Sequence, residues 1–459
     1  MQESRNTNPK KVLFIAYLFP PVGGSGVQRS SKFVKYLPNF GWKPLVLTVK
    51  DPYDFYSDED LMKDVAGNCT IYRTFSIEPM KWVRKFLKKK WQKKISVEKN
   101  DKESDKTLKP GFLVKLKTYL LFPDNEIMWL PFAVWKGWRI IRKEQPLVIY
   151  STASPYTDHL IALILTKLTR LPWVADFRDL WVDRPNFPQN KFRYFIDRKL
   201  EKKVIETADH VVTATSLLTK RLNDLYPSKK YSTITNGYDE DDFFKASELK
   251  PPPDEFRITY TGIFNKERSP RQIFLALKKN IDHNEDFRNK IKLKIIGQLD
   301  NPGDLENFNN YRDLGLEKYS ELVGYQPHQS AISEMCRATV LLLFIGEQIL
   351  GETILTGKIF EYLRSGRPIL AVVPPNGLAA EVIRKTDSGI VVSNESVEEI
   401  SNGILKLFDL FINNKLEESY NRTGIEKYNR KNLTNELSEV FKKVVDQDSN
   451  QQKISSPVK

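Results

Sequence analysis

KVLFIAYLFPPVGGSGVQRSSKFVKYL, residues 11–37, is the stretch from which the fold follows. Its first part, Lys11–Tyr17, is a continuous apolar run, the pattern of a parallel strand covered on both faces. A Pro/Gly loop follows from Phe19 to Gly26, and Val27–Leu37 has helical spacing. Strand, glycine loop and helix in that order open a βαβ unit. Working outward, Lys43–Val49, Leu147–Ser151, Trp173–Asp176, His210–Thr213 and Ser232–Thr235 read as further strands, with helical segments between most of them. Pro251, Pro252 and Pro253 then interrupt the pattern, because a proline triplet continues neither a helix nor a central strand. The alternation restarts at Phe256–Tyr260, Lys292–Ile296, Tyr319–Val323, Thr339–Phe344, Pro368–Val373 and Gly389–Val392. The expectation is a chain of two α/β domains, 1–248 and 249–445, with no internal repeat. Residues 446–459 are expected to form a disordered tail.

Composition bounds the function. At ~100–200 residues per domain, 459 residues hold two to three domains. Apolar residues at 40% are enough for sizeable cores, so wholesale disorder is excluded. Two cysteines exclude a disulfide scaffold and a Cys-rich zinc module. The four histidines show no metal-ligand spacing, so no metal is expected. Met1–Lys11 has no apolar core of a signal peptide. The longest apolar run, Ala338–Gly346, falls short of the ~20 residues that span a bilayer. A cytoplasmic protein, soluble or peripheral on the inner face of the membrane, is expected. A net charge of +14 calls for an anionic partner.

Eight of those positive charges sit in Lys81–Lys94, KWVRKFLKKKWQKK, which holds no acidic residue. Trp82, Phe86 and Trp91 recur there at helical spacing beside Lys88, Lys89 and Lys90. This basic amphipathic insertion, about 81–118, suits an anionic membrane surface better than nucleic acid. No common nucleic-acid motif accompanies it.

Two loops carry chemistry. Gly23, Gly24 and Gly26, followed by Arg29, lie where the first strand turns into its helix, at the edge of a parallel sheet where ligands settle. The dinucleotide fingerprint fails, because Arg29 stands where a third glycine belongs. The second loop, Gly351–Leu363, fails as a P-loop, since Gly351 and Gly357 are six apart and Ile359 replaces the metal-binding hydroxyl. A helix starting near Gly357 remains, with Thr356 as its cap and free N–H groups that suit a diphosphate beside Lys358. Lys358 and Glu361, three apart, share a face and are candidates for an ion pair.

These pieces, taken in order, resemble a known family. FPPVGGSGVQR (19–29), KYLPNFGWKPLVLT (35–48), PWVADFRDLW (172–181), TNGYDEDDF (235–243), YTGIF (260–264), LVGYQPH (322–328) and GKIFEYLRSGRPIL (357–370) are similar to segments of retaining glycosyltransferases of family 4. The resemblance covers nearly the whole chain. It implies the GT-B fold, two facing Rossmann-like domains with a cleft between them. It also implies transfer of a hexose from a nucleotide-sugar donor, with retention and without a metal, to a lipid-linked or surface-polysaccharide precursor of bacterial type. Glu361 matches the second glutamate of the family's E-x7-E motif, which holds the donor ribose. The first is replaced by Thr353, beside Glu352. Ile263 stands where the family has a diphosphate-binding arginine, which leaves Lys266, Arg268 and Lys358 as candidate cations. Arg178 occupies the place of a donor-sugar histidine and is flanked by Asp176 and Asp179. The implied catalytic set is Arg178, Asp179 and Lys358. The implied donor set is Gly24, Lys266, Arg268, Tyr325, Thr356, Gly357, Lys358 and Glu361. Gly23, Gly24, Gly26 and Arg29 form the implied acceptor-side loop. The alternatives are a sugar-nucleotide epimerase of the same fold and a nucleic-acid-binding protein.

Overall fold

A computed structural model describes residues 9–52, 58–77, 122–184, 187, 190–246, 248–266, 268–300, 304–346 and 351–455. Trp82, Phe86, Lys88, Lys89, Lys90, Trp91 and the whole 81–118 insertion lie outside the described residues.

The chain divides into two units, one of Met1–Thr235 with Thr434–Lys459 and one of Asn236–Leu433. In the first, β1 (Lys10–Ile15), α1 (Ser25–Tyr36), β2 (Trp42–Val49), α2 (Glu59–Val65), β3 (Thr70–Thr74), α3 (Leu130–Glu144), β4 (Val148–Ala153), α4 (Thr157–Thr169), β5 (Trp173–Phe177), α5 (Lys191–Thr207), β6 (His210–Thr213), α6 (Ser216–Leu225) and β7 (Tyr231–Thr233) follow one another. All pairings are parallel, in the order β3-β2-β1-β4-β5-β6-β7. The unit thus has one strand more than the sequence shows: β3, TIYRT, is a half-buried edge with no apolar run.

The second unit holds α7 (Glu240–Phe243), β8 (Phe256–Ile263), α8 (Arg271–His283), α9 (Glu285–Lys290), β9 (Ile291–Gln298), α10 (Glu306–Asp313), β10 (Ser320–Gly324), α11 (His328–Cys336), β11 (Val340–Phe344), α12 (Gly357–Ser365), β12 (Ile369–Val372), α13 (Leu378–Lys385), β13 (Gly389–Val392) and α14 (Val397–Ile412). Its six parallel strands run β10-β9-β8-β11-β12-β13. In both sheets the order reverses beside the first strand, between β1 and β4 and between β8 and β11. At such a switch point neighbouring loops leave in opposite directions and open a crevice at the strands' carboxyl ends.

Burial on both faces explains the apolar strand β1. Leu13 and Ile15 enter the core under α3 and α4, while Phe14 on the other face meets Tyr150 at 4.4 Å between ring centres. The cover on that second face includes Phe441 of the last helix, α15 (Arg430–Ser455), whose ring lies 5.7 Å from Tyr150 and 5.3 Å from Trp42. Two expectations differ from this arrangement. The units meet at Thr235/Asn236 rather than 248/249, because the turn Asn236–Tyr238 is already tied to the second unit's own backbone, Tyr238 N–H to Tyr428 O at 3.0 Å. The polar stretch from 446 continues α15 to Ser455 instead of forming a tail. Among the described residues, no helix is long and apolar enough to cross a membrane.

Candidate functional site

The switch point of the second unit gathers most of the candidate donor residues. β8 ends in Thr261-Gly262-Ile263, and β9 in Gly297-Gln298 directly beside it. Gly262 and Gly297 adopt φ of +140° and +131°, which disfavour any side chain, and a Cβ on Gly297 would lie 1.9 Å from the Gly262 carbonyl oxygen. Glycine at both positions lets the strand ends close up and leaves the space above Gly262 free. Lys358 fills it: a Cβ on Gly262 would sit 2.2 Å from the Lys358 Nζ.

Lys358 belongs to the first turn of α12, yet its ammonium works at the end of β8. Nζ donates to the Thr261 carbonyl and lies 4.7 Å from the centre of the Tyr260 ring. Tyr362, buried on the same helix, fixes that strand end through its hydroxyl, 3.1 Å from the Thr261 N–H and Oγ1. Burial foremost, and the nearby Arg268 charge, lower the Lys358 pKa against the opposing pull of Glu361, to about 8. The ammonium therefore has an incentive to meet an anion.

Glu361 sits one turn on and is half-buried. Its Oε1 lies 2.9 Å from His328 Nε2, at the start of α11. Lys358 and Glu361, candidates for an ion pair, instead make two separate contacts, one with the strand-end carbonyl and one with the imidazole. Thr356 stands at the N-cap position of α12 without capping: its side chain accepts no N–H, and its buried Oγ1 has no hydrogen-bond partner among the described residues. Nothing lies within 4 Å of a Cβ built on Gly357, so the helix N-terminus opens on free space. Lys266 is exposed and lies 3.9 Å from Glu306. Arg268 is exposed, at a range at which its charge reaches Lys358. Tyr325 is 78% exposed just beyond β10, and Glu352 is exposed in a short turn.

In the first unit the glycine loop leads into α1, with Gly24 at φ +105° and exposed. Arg178 closes that switch point from β5. Its Nε donates to the Ala153 carbonyl at 2.7 Å, and its two terminal nitrogens donate to the carbonyls of Gly26 and Ser154. It therefore pins the loop after β4 to the glycine loop. Asp179 beside it is exposed.

Arg29 is not a loop ligand. It is 1% exposed, and its Nε and Nη2 grip both Asp176 oxygens at 2.9 and 2.8 Å. Tyr150 and Thr152 hydroxyls complete the carboxylate's shell at 2.7 and 2.8 Å. Burial raises the Asp176 pKa, but Arg29 and these hydroxyls outweigh it and hold the group below its ordinary value. Asp176 is thus an interior strut and presents no charge to a ligand, because its strand position faces α1.

Two groups at this site carry no motif that would reveal them. Asp158, buried in the first turn of α4, accepts the Tyr17 N–H at 2.9 Å, and burial holds its pKa well above the usual range. His159 beside it meets Ser151 Oγ at 2.8 Å and is kept neutral by burial, its pKa lowered to about 3. His328, the partner of Glu361, was legible only as part of the LVGYQPH segment.

Known proteins agree with this architecture. Residues 95–242 match the model of Glycosyltransferase Family 4, and residues 255–409 match that of Glycosyl transferases group 1. An uncharacterized glycosyltransferase of Methanocaldococcus jannaschii is 24% identical over 266 residues, 56% of this chain, and the match spans 64% of that relative's length. A glycosyltransferase from Rickettsia africae superimposes with a TM-score of 0.62 at 14% identity, over 96% of this chain and 99% of that one. The Anabaena protein HepE, solved in complex with UDP, gives a TM-score of 0.61 at 13% identity, over 94% and 100% of the two chains. The fold is GT-B, and the matches support a GT-B glycosyltransferase family.

Proposed function

We propose that this protein transfers a sugar from a nucleotide-sugar donor to a glycan or lipid-linked acceptor, with retention at the anomeric carbon. The observation that carries the reading is the grouping of Lys358, Glu361 and the open N-terminus of α12 at the carboxyl end of β8. A nucleoside diphosphate needs a cation and N–H donors for its phosphates, and a carboxylate suits the ribose hydroxyls. Lys358, from a helix, supplies a charge at the strand end where Ile263 carries none. Arg268 and Lys266 lie on the loop that follows.

In the reaction the acceptor hydroxyl oxygen bonds to the anomeric carbon as that carbon's bond to the diphosphate oxygen breaks. The leaving diphosphate takes the acceptor's proton and the bond electrons. Lys358, Arg268 and the α12 N–H groups stabilise the charge that develops on it. This division of labour requires no metal. The donor is assigned to the second unit, and the acceptor to the first, near Gly23–Gly26, Arg178 and Asp179. A lipid-linked or surface-polysaccharide precursor fits the chain's basic character. UDP in the Anabaena neighbour makes UDP-sugars the first donors to screen.

The test is a thermal-shift screen of nucleotide sugars on the wild type, followed by titration of Glu361→Ala and His328→Ala. Loss of the charge-assisted hydrogen bond to ribose costs ~1.5–3 kcal/mol, about one to two decades of affinity. His328→Ala is expected to weaken binding less, since the carboxylate remains. A folded Glu361→Ala protein with wild-type donor affinity would overturn the assignment. Turnover in EDTA, read as released nucleoside diphosphate, is expected to match turnover without it.

A further inference from the structure

We propose that the outer face of α3 in the first unit docks on an anionic lipid bilayer. α3 buries Ala133, Gly137, Ile140 and Ile141, spaced as one helical stripe against the sheet and α4. Gly137 makes that packing close, since a Cβ there would meet Leu165 at 2.6 Å. The opposite stripe is apolar too. Trp135 is 58% exposed and Trp138 is 38% exposed. At the same end of the helix Phe132 meets Phe75, itself 62% exposed, with ring centres 5.4 Å apart. A single exposed aromatic is ordinary; several on one helix face mark a contact surface.

The charges on this face say what it contacts. Arg139 lies 4.9 Å from the centre of the Trp135 ring, and Arg142 lies 5.1 Å from that of Trp138. Each indole thus carries a guanidinium one turn on, which holds ring and charge together. Lys143 adds one more exposed cation, 4.0 Å from Glu144, the helix's one acidic residue, which Lys11 holds at 2.9 Å; Lys136 lies over the Tyr72 ring, 5.6 Å from its centre. Indole rings settle at the headgroup level of a bilayer, and guanidinium groups bind phosphate in pairs. A convex helix face with Trp and Arg alternating by turns matches that layer, whereas a peptide partner would need a groove. The basic segment 81–94 lies outside the described residues, and the proposal uses none of it.

The place of α3 adds a second argument. It runs from the carboxyl end of β3 back to the start of β4, so Phe132 and Trp135 lie towards the same sheet edge as the glycine loop and Arg178. If the first unit takes a lipid-linked acceptor, as proposed above, this face brings that edge to the bilayer. The lipid contact itself does not depend on that reading.

The experiment is co-sedimentation of the full chain with phosphatidylcholine vesicles, with and without phosphatidylglycerol. Wild type is expected to pellet with the anionic vesicles and to be released as salt rises. Arg139→Gln/Arg142→Gln is expected to lose about tenfold or more in partitioning, given the contribution of each cation near an anionic surface. Trp135→Gln/Trp138→Gln should lose a similar amount, and Trp135→Phe/Trp138→Phe only part of it. The exposed positions should leave the thermal midpoint unchanged; if the Trp variants fail to fold, the Arg pair decides. Wild-type pelleting by the Arg pair variant overturns the proposal. So does a wild type that ignores both vesicles, or one that forms a dimer which the Trp variants dissociate and binds no lipid.

Discussion

Lys358 shows how much a single side chain depends on its surroundings. On a surface helix its ammonium would be an ordinary solvated charge; here glycine at 262 gives it room at the end of β8, and burial lowers its pKa to about 8. The folded-state value lies below the ordinary 10.5, so the unfolded chain binds more protons between about 8 and 10.5. Stability therefore rises with pH across that window, and Lys358→Met should abolish that part of the rise. Ligand binding runs the opposite way. A diphosphate needs the cation, so affinity for a nucleoside diphosphate is expected to fall as pH passes about 8. Calorimetric titration at neutral and alkaline pH checks this. Lys358→Met should bind more weakly and show no such fall; an equal fall in both proteins would remove Lys358 from the site. The residue's type and its place before Glu361 were readable from sequence. Its destination was not, since Thr261 lies 97 residues away. Arg29 teaches the converse lesson. Beside a glycine loop it looked like a ligand group, yet its partner Asp176 is 147 residues distant and turns it into a core residue.

At the scale of elements, the two glycines that bound the donor-side crevice should respond in opposite ways to one added methyl group. Gly297→Ala forces a side chain into φ +131° and towards the Gly262 carbonyl. Backbone strain of this kind costs ~1–3 kcal/mol, and the clash adds to it by prising β8 from β9. A clear drop in thermal midpoint, with Lys358 displaced and donor binding lost, is expected. Gly357→Ala meets nothing within 4 Å and sits at the start of a helix. There the exchange stabilises by ~0.4–1 kcal/mol through the unfolded chain. Its methyl group enters the open space at the α12 N-terminus, so affinity for a nucleoside diphosphate should fall while the midpoint holds or rises. Equal affinity in Gly357→Ala would show that the helix N-terminus does not face the ligand. Most strands, β1 and β11 above all, were legible as apolar runs because both faces are covered. β3 escaped notice because an edge strand needs only half that burial.

For the whole molecule, the order of the chain matters more than any motif. The second unit is one continuous segment, whereas the first is completed only when the chain returns at Thr434. The two crossings are fastened side by side: Tyr238 N–H to Tyr428 O at 3.0 Å and Arg430 N–H to Tyr238 O at 2.8 Å. Past them, α15 lays Leu437, Val440, Phe441 and Val444 into buried positions. Its polar composition beyond 446 resembles a tail, yet the helix begun by those buried residues runs on to Ser455. Phe441 is the sharpest probe of this closure, fully buried against Trp42 and Tyr150 of the first sheet. Phe441→Ala removes a large ring from a packed interior and should cost ~3–5 kcal/mol. The loss belongs to the first unit. Unfolding followed by denaturant should show the transition that reports Trp42 and its neighbours moving to lower concentration. Affinity of the same variant for a nucleoside diphosphate should stay at the wild-type value, because every residue assigned to that ligand in the second unit lies within 236–433. A parallel loss of affinity under conditions where the variant remains folded would mean that donor binding draws on the first unit as well.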